Sequence, residues 1–223
     1  MRAVLSDKSI GSASGVELID PDSSKFAKAY KNRANGTRGF ASINGSAIVL
    51  EGSMLMFDPD RIGWSKFDEE INADDAQISV SSITSGHRSI VSNTSSFIQM
   101  PGSPSFSLKQ SVRRGQGLAT VLLRNPHLFR MKGMFLETLR NWLLYLVVPW
   151  AVVLILSISA YIASISITSG GWKSLTEYYN AAIICMFLIT ATGRSLGLGS
   201  VSMIIAHFRI FLGKTYDSWR PIR

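Results

Sequence analysis

The distribution of apolar residues divides the chain into two parts. Between about 39 and 109 apolar and polar residues alternate in short runs, for example along 77–83, where Ile and Val alternate with Ser. A period of two is typical of β-strands. From 141 to 171 no side chain is charged, and the run is mostly apolar. The pattern predicts a polar region rich in strands, followed by apolar helices.

Turn signals group the predicted strands into hairpins. One hairpin is predicted across Gly52 in residues 46–57, and a second across Gly102 in residues 95–109. In both, two apolar runs flank a short connection that contains Gly, as in tight hairpins. We expect residues 39–109 to form a polar β-rich domain, with five or six short strands in a small antiparallel sheet.

Residues 1–38 are expected to be an irregular lead-in with one short helix at 23–33, which Asn35-Gly36 would end. Ser supplies 22 of the first 111 residues. This composition leaves two alternatives open, a polar β-domain with Ser on its outer face or a partly disordered stretch.

Residues 110–140 are predicted to be a basic linker and an amphipathic helix. The linker covers 110–125, and Asn125-Pro126 is a helix start because Pro is favoured at the first helical position. Apolar residues then follow at helical spacing on one face, which favours a helix lying in a membrane interface. The alternative is an ordinary surface helix.

Residues 141–223 are predicted to be a membrane region. The run at about 142–167 is long enough for the roughly 30 Å hydrocarbon layer, and about 178–194 is a shorter second span. Residues 195–213 are interfacial, re-entrant or part of the second span. The predicted fold class is an α+β membrane protein, with a small N-terminal antiparallel β-rich domain, an interfacial amphipathic helix and a two-helix transmembrane hairpin.

Charge is distributed as unevenly as apolar residues. Residues 1–105 hold ten Lys/Arg and twelve Asp/Glu, a net charge of −2, whereas 106–223 hold thirteen Lys/Arg and three acids, a net charge of +10. Because the positive charge surrounds apolar segments, it favours a lipid bilayer over nucleic acid. Seven Lys/Arg lie between 106 and 140, just before the first span, one lies between the spans and five follow from residue 194 onward. The positive-inside rule then places the N- and C-termini in the cytoplasm.

Three groups of residues are candidate sites. Basic and aromatic side chains are expected to contact lipid: Arg113, Arg114, Arg124, Arg130, Lys132, Arg140, Trp142, Trp172, Tyr178 and Tyr179. Small residues suit helix packing: Gly193, Gly197 and Gly199. Arg194 closes the short second span, so it either reaches the interface or serves as a functional residue inside the membrane.

Little in the sequence indicates catalysis. The three His residues are isolated, the chain has one Cys, and no metal-binding, phosphate-loop or nucleophile motif is present. The acid runs at 68–70 and 74–75 are interpreted as solvated surface. We therefore assign no catalytic, cofactor-binding or metal-binding residue and expect no cofactor. The question of enzymatic activity stays open, with a non-enzymatic role favoured.

Residues 192–199, Thr-Gly-Arg-Ser-Leu-Gly-Leu-Gly, resemble the end of the last helix in the DoxX/DoxD family of small membrane oxidoreductase subunits. In that family a Gly-Arg pair precedes Leu-Asp or Gly-Leu-Asp, and Gly199 stands here where the Asp would be. The family is a four-span bundle, whereas this chain has two predicted spans. The resemblance implies an alternative function as a small subunit of a membrane redox enzyme.

The predicted function is that of a non-enzymatic, membrane-anchored subunit of a larger membrane assembly, of the secretion, conjugation or respiratory type. Its partners would be the lipid bilayer and other membrane protein subunits, with the hairpin available for oligomer formation and no nucleic acid bound. A lipid-sensing module is the second alternative. The predicted localisation is integral to a bacterial inner membrane or another cytoplasm-facing membrane. The sequence does not name the partners, the process or the organism.

Overall fold

The computed structural model describes residues 6–19, 21, 25–68, 71–98, 108–168 and 175–214. These residues contain three strands: β1 (Ile10–Leu18), β2 (Leu55–Phe57) and β3 (Arg88–Ile98). They contain seven α-helices: α1 (Lys25–Asn44), α2 (Asp74–Thr84), α3 (Leu108–Arg124), α4 (Phe135–Trp142), α5 (Val148–Thr168), α6 (Leu175–Ile189) and α7 (Ala191–Phe211). Short 3-10 helices cover Gly52–Met54 and Pro126–Arg130, and a π-helix covers Leu143–Val147.

The sheet has β1 in its centre, in the order β2-β1-β3. β1 pairs antiparallel with β2, where Ala13 faces Met56, and parallel with β3, where Ala13 faces Ile90. Parallel neighbours need a long crossover connection, which α1, β2 and α2 supply. The first six residues of β1 are all buried, as expected for a central strand that helices cover.

Helix α2 lies close to β1 because both elements carry small residues at their contact. The Ser82 and Ser12 hydroxyl oxygens lie 2.8 Å apart and share a hydrogen bond, and both side chains are buried. A Cβ added to Gly11 would lie 2.7 Å from Ile62 Cγ2 and 3.1 Å from Ser82 Cβ. Larger side chains at these positions would push the helix away from the strand.

The predicted strand at 77–83 is wrong, because these residues lie inside α2. We had interpreted the alternation of Ser with Ile and Val as one exposed and one buried face. In the helix, Ser79 and Ser82 are buried beside Ile78 and Ile83. Both hydroxyls donate to a backbone carbonyl one turn earlier, which satisfies them without water.

The predicted fold class is therefore wrong for the N-terminal part, which has a three-stranded mixed sheet instead of an antiparallel sheet of five or six strands. The hairpin at 46–57 does not form, because 46–50 is not a strand and β2 pairs with β1. In the second predicted hairpin, 95–98 belongs to β3, and 99–107 lies outside the described residues.

Several segments predicted to be irregular or short are regular. β1 lies within the predicted lead-in, and α1 continues past Gly36 to Asn44. Most of the predicted linker at 110–125 is helix α3. A helix does begin at Pro126, but it is a five-residue 3-10 helix. The predicted domain boundaries are not tested and stay predictions.

The predicted two-helix transmembrane hairpin is also wrong. In the described part of the chain, α4, the π-helix and α5 form one continuous helix, and its stretch Phe135–Ser166 is by itself long and apolar enough to cross a membrane. Of its most apolar 18 residues, 11% are buried. The second predicted span is divided between α6 and α7, which meet at 85° and form a second candidate only if a bent pair counts as one span. One such helix is weak evidence, so the integral membrane localisation with cytoplasmic termini loses its support.

The main apolar core joins α2 and α3 to the segments around residues 48 and 128. Leu122 of α3 is fully buried and packs in one cluster with Ile48, Val80 and Leu128. Its sequence neighbour Leu123 points outward and is 46% exposed.

We expect Leu122→Ala to lower the free energy of unfolding by about 2–5 kcal/mol, because the truncated side chain leaves a cavity. Leu123→Ala is the matched control and should cost about 1 kcal/mol or less. Urea denaturation of both variants measures the difference. Equal losses would show that the orientation of α3 is wrong.

Two helical glycines should respond oppositely to substitution by Ala. A Cβ on Gly117 of α3 would lie 2.5 Å from the Asn72 carbonyl oxygen, whereas Gly36 of α1 has open space around it. Gly117→Ala should therefore destabilise the fold by about 1–3 kcal/mol. Gly36→Ala should stabilise it by about 0.5–1 kcal/mol through helix propensity. Thermal unfolding checks both, and a stabilising Gly117→Ala would rule out the close packing.

Candidate functional site

The candidate site lies at the first turn of α2, where Asp75 packs against the chain at Gly52. The Asp75 Oδ1 atom accepts a hydrogen bond of 2.8 Å from the backbone N–H of Ala76. A Cβ added to Gly52 would lie 3.6 Å from both Cβ and Oδ2 of Asp75. These are ordinary van der Waals distances, so the chain at Gly52 lies next to one side of this carboxyl group.

The environment of Asp75 favours its protonated form. Burial raises its pKa above the ordinary value of 3.8, and the charges of Glu51 and Asp74 act in the same direction. The Ala76 hydrogen bond and the positive charge of Arg38 oppose this shift without cancelling it. A carboxylate with a raised pKa is a better proton acceptor than an ordinary surface Asp.

Arg38 and Glu51 form an ion pair beside this carboxyl group. Arg38 lies on α1 and Glu51 immediately precedes Gly52, and their nearest charged atoms are 2.8 Å apart. Only 13% of the Arg38 side chain and 14% of the Glu51 side chain are exposed. Because water screens such a pair poorly, its charges act on neighbouring groups more strongly than surface charges do.

The arrangement can accept a proton. In the part of the chain that the structure describes, no group of three His, Cys, Asp or Glu side chains could hold a metal. Asp74, next to Asp75, is exposed. The site therefore provides one carboxylate that can accept a proton, Asp75, next to the Arg38–Glu51 ion pair.

A second enclosed carboxylate, Glu137 of α4, uses its acceptors within the fold. It forms an ion pair of 2.5 Å with Arg140 and accepts a hydrogen bond of 2.8 Å from Asn141 Nδ2. Burial raises its pKa, and the backbone N–H of Ile48 also binds the carboxylate and lowers the pKa. Glu137 therefore fastens α4 to the segment around residue 48, and it is less available to a substrate than Asp75.

A cleft between α5 and α7 is a weaker candidate. It is lined by Trp150, His207, Phe208 and Phe211. The Trp150 indole N–H donates to His207 Nδ1 at 3.0 Å, so the titratable group of the cleft already serves a contact between the two helices.

The residues predicted to contact lipid are spread over several elements. Arg113, Arg114 and Arg124 lie on α3, where Arg124 forms an ion pair of 2.6 Å with Asp68. Arg130, the last residue of the second 3-10 helix, and Lys132 are exposed. Arg140 pairs with Glu137, and Trp142 packs edge-to-face on Phe129. Tyr178 and Tyr179 are exposed on α6, and Trp172 lies outside the described residues. These assignments stay predictions.

The predicted packing residues lie in the first turns of α7, which begins after the cap residue Thr190. Gly193 is buried, and its N–H donates to Thr190 Oγ1 at 2.9 Å. A Cβ there would lie 2.5 Å from the Met186 carbonyl oxygen, so the tight turn between α6 and α7 requires Gly. Gly197 and Gly199 are half-buried, and Arg194 is exposed. Their predicted roles also stay predictions.

Sequence analysis missed the candidate site. Asp75 was noticed, but only as part of an acid run interpreted as solvated surface. Arg38 and Glu51 come from distant segments, and nothing in their local sequence indicates that they meet. The one available signal was Gly52 between two apolar runs, which we interpreted as a hairpin turn.

Comparison with known proteins gives a likeness of fold. No family model matches the chain, and no curated protein sequence matches it. Among solved structures it is similar to a mannosyltransferase, PcManGT from Pyrobaculum calidifontis in complex with GDP-Man and Mn2+. The identity is 18% and the TM-score is 0.72, over 94% of this chain and 56% of that protein. The likeness shows a shared fold, and this chain spans about half the length of its relative.

This likeness overturns the predicted function. A fold shared with a mannosyltransferase contradicts the interpretation as a non-enzymatic membrane-anchored subunit, and with it the membrane redox subunit and the lipid-sensing module. The description as an inner-membrane complex subunit is corrected for the same reason. The apolar run at 142–167 has the composition of a membrane span, whereas the fold of the preceding residues depends on contacts between segments far apart in the chain.

We expect Asp75→Asn to stabilise the fold at neutral pH. Because the pKa is raised in the folded state, the stability from this group is present below the ordinary value of 3.8 and is lost as pH rises through the folded pKa. Asn avoids that loss and keeps an oxygen for the Ala76 N–H. In urea denaturation, the variant should have a higher free energy of unfolding than the wild type at pH 7, and this difference should be smaller at pH 4. A less stable variant at pH 7 would contradict the burial of the charge.

Proposed function

We propose that this chain belongs to a glycosyltransferase that moves a sugar from a nucleotide donor to an acceptor hydroxyl, with Asp75 as the general base. The observation that carries the proposal is the enclosed Asp75 carboxyl with its raised pKa, in a chain that shares its fold with a mannosyltransferase. Active sites are where carboxylates with such shifts concentrate.

The chemistry needs one proton acceptor. The acceptor hydroxyl oxygen forms a bond to the anomeric carbon of the sugar, and the bond from that carbon to the donor phosphate breaks. The electron pair of the broken bond leaves with the nucleoside diphosphate. The hydroxyl proton goes to the Asp75 carboxylate, whose raised pKa brings its basicity closer to neutral pH.

The donor is proposed by chemical class. The similar mannosyltransferase was solved with GDP-mannose, so a purine nucleoside diphosphate sugar is the first donor to test. That protein also holds Mn2+. The described residues here provide no three-ligand metal site, and no step is assigned to a metal. Because this chain spans 56% of that protein, we assign no donor-binding residue.

The test compares two neighbouring carboxylates. Asp75→Asn should lower the rate of sugar transfer from GDP-mannose by about 10²–10⁴-fold, as loss of a general base does. Asp74→Asn, which alters an exposed side chain one residue away, should stay within a few-fold of the wild type. Release of GDP with a panel of hydroxyl acceptors, with and without Mn2+, measures both.

Donor binding by calorimetry supplies the control. If Asp75→Asn binds GDP-mannose as the wild type does and fails only in transfer, the loss lies in the chemical step. Equal rates for the Asp75 and Asp74 variants would rule out Asp75 as the base.

A further inference from the structure

We propose that the Arg38–Glu51 ion pair is a positioning pair, which holds the Asp75 carboxyl in place and sets the pH range in which it acts as a base. This inference rests on the proposed function, because it assigns a role to the groups behind the proposed base. Neither residue needs to touch substrate.

The first support is the path of the chain. Glu51 and Gly52 are consecutive, and the backbone at Gly52 lies against the Asp75 carboxyl. Any displacement of Glu51 therefore displaces the surface that covers Asp75. Arg38 holds Glu51 through the ion pair, since its guanidinium lies 2.8 Å from Glu51 Oε2. The pair thus connects α1 to the first turn of α2 through one covering segment.

The second support is that the two charges act on Asp75 in opposite directions. Glu51, like Asp74, raises the pKa of Asp75, and Arg38 lowers it. Both members of the pair are largely buried, so solvent does not screen these effects as it does at the surface. Because the two effects oppose each other, removal of one member of the pair should shift the pKa of Asp75 in one direction and removal of the other in the opposite direction.

The direct test is titration of the Asp75 side chain itself. In protein labelled with 13C at the aspartate carboxyl carbon, the Asp75 signal is assigned by its loss in Asp75→Asn. Glu51→Gln should move the titration midpoint to lower pH, and Arg38→Gln should move it to higher pH. Arg38→Lys keeps the charge and should stay near the wild type.

The matched control is Lys31→Gln. Lys31 also lies on α1 and pairs with an enclosed carboxylate, Glu17, at 2.5 Å, but it is absent from the groups that act on Asp75. Its variant should leave the Asp75 midpoint unchanged. If the Glu51 and Arg38 variants move the midpoint in the same direction, or no further than Lys31→Gln does, the positioning role is overturned.

The pH profile of transfer activity then separates the two proposals. The acidic limb of the profile should follow the titration midpoints, to lower pH in Glu51→Gln and to higher pH in Arg38→Gln. If the midpoints move as expected while Asp75→Asn remains fully active, the proposed function fails and the electrostatic coupling stands. If Asp75→Asn is inactive and the midpoints do not move, Asp75 remains the base and the role of the pair fails.

Discussion

The close contact between α2 and the central strand β1 determines where the candidate site lies. Ser12, Ser82 and Gly11 leave no room for a larger side chain, so the helix lies directly on the strand. Once this contact is fixed, the first turn of α2 meets the segment that leads into β2. Gly52 of that segment lies next to Asp75, where an added Cβ would be in ordinary van der Waals contact with the carboxyl group. The Asp75 side chain is half-buried at this place, and the loss of hydration raises its pKa.

Enclosure of this carboxyl has opposite consequences for stability and for chemistry. An ionised group loses hydration when it is buried, and the fold is less stable at neutral pH for that reason. The same loss raises the pKa of Asp75 and makes it a stronger proton acceptor. Asn or an apolar side chain at this position would avoid the cost of burying a charge, but neither could accept the proton in the proposed reaction.

The sequence predicted the local features that depend on neighbouring residues. The apolar helix through 142–167 follows from a long run without charge, and the helix start at Pro126 follows from the restricted φ of proline. The small N-terminal sheet could not be predicted in the same way. Buried Ser residues in α2 have the polarity of surface residues, so their spacing imitates a strand. Gly36, which usually ends a helix, lies in the middle of α1.

The candidate site was beyond local inference because α1 contacts the sheet region through polar groups. Lys31, Asn35 and Arg38 follow one another at helical spacing on one face of α1. They bind, in order, the Glu17 carboxylate, the Glu17 backbone carbonyl and the Glu51 carboxylate. An apolar stripe, by which sequence analysis recognises a packed helix, is replaced here by this polar face. These polar contacts give no apolar pattern in the sequence of α1. One of them, the Arg38–Glu51 ion pair, is the contact that lies beside Asp75.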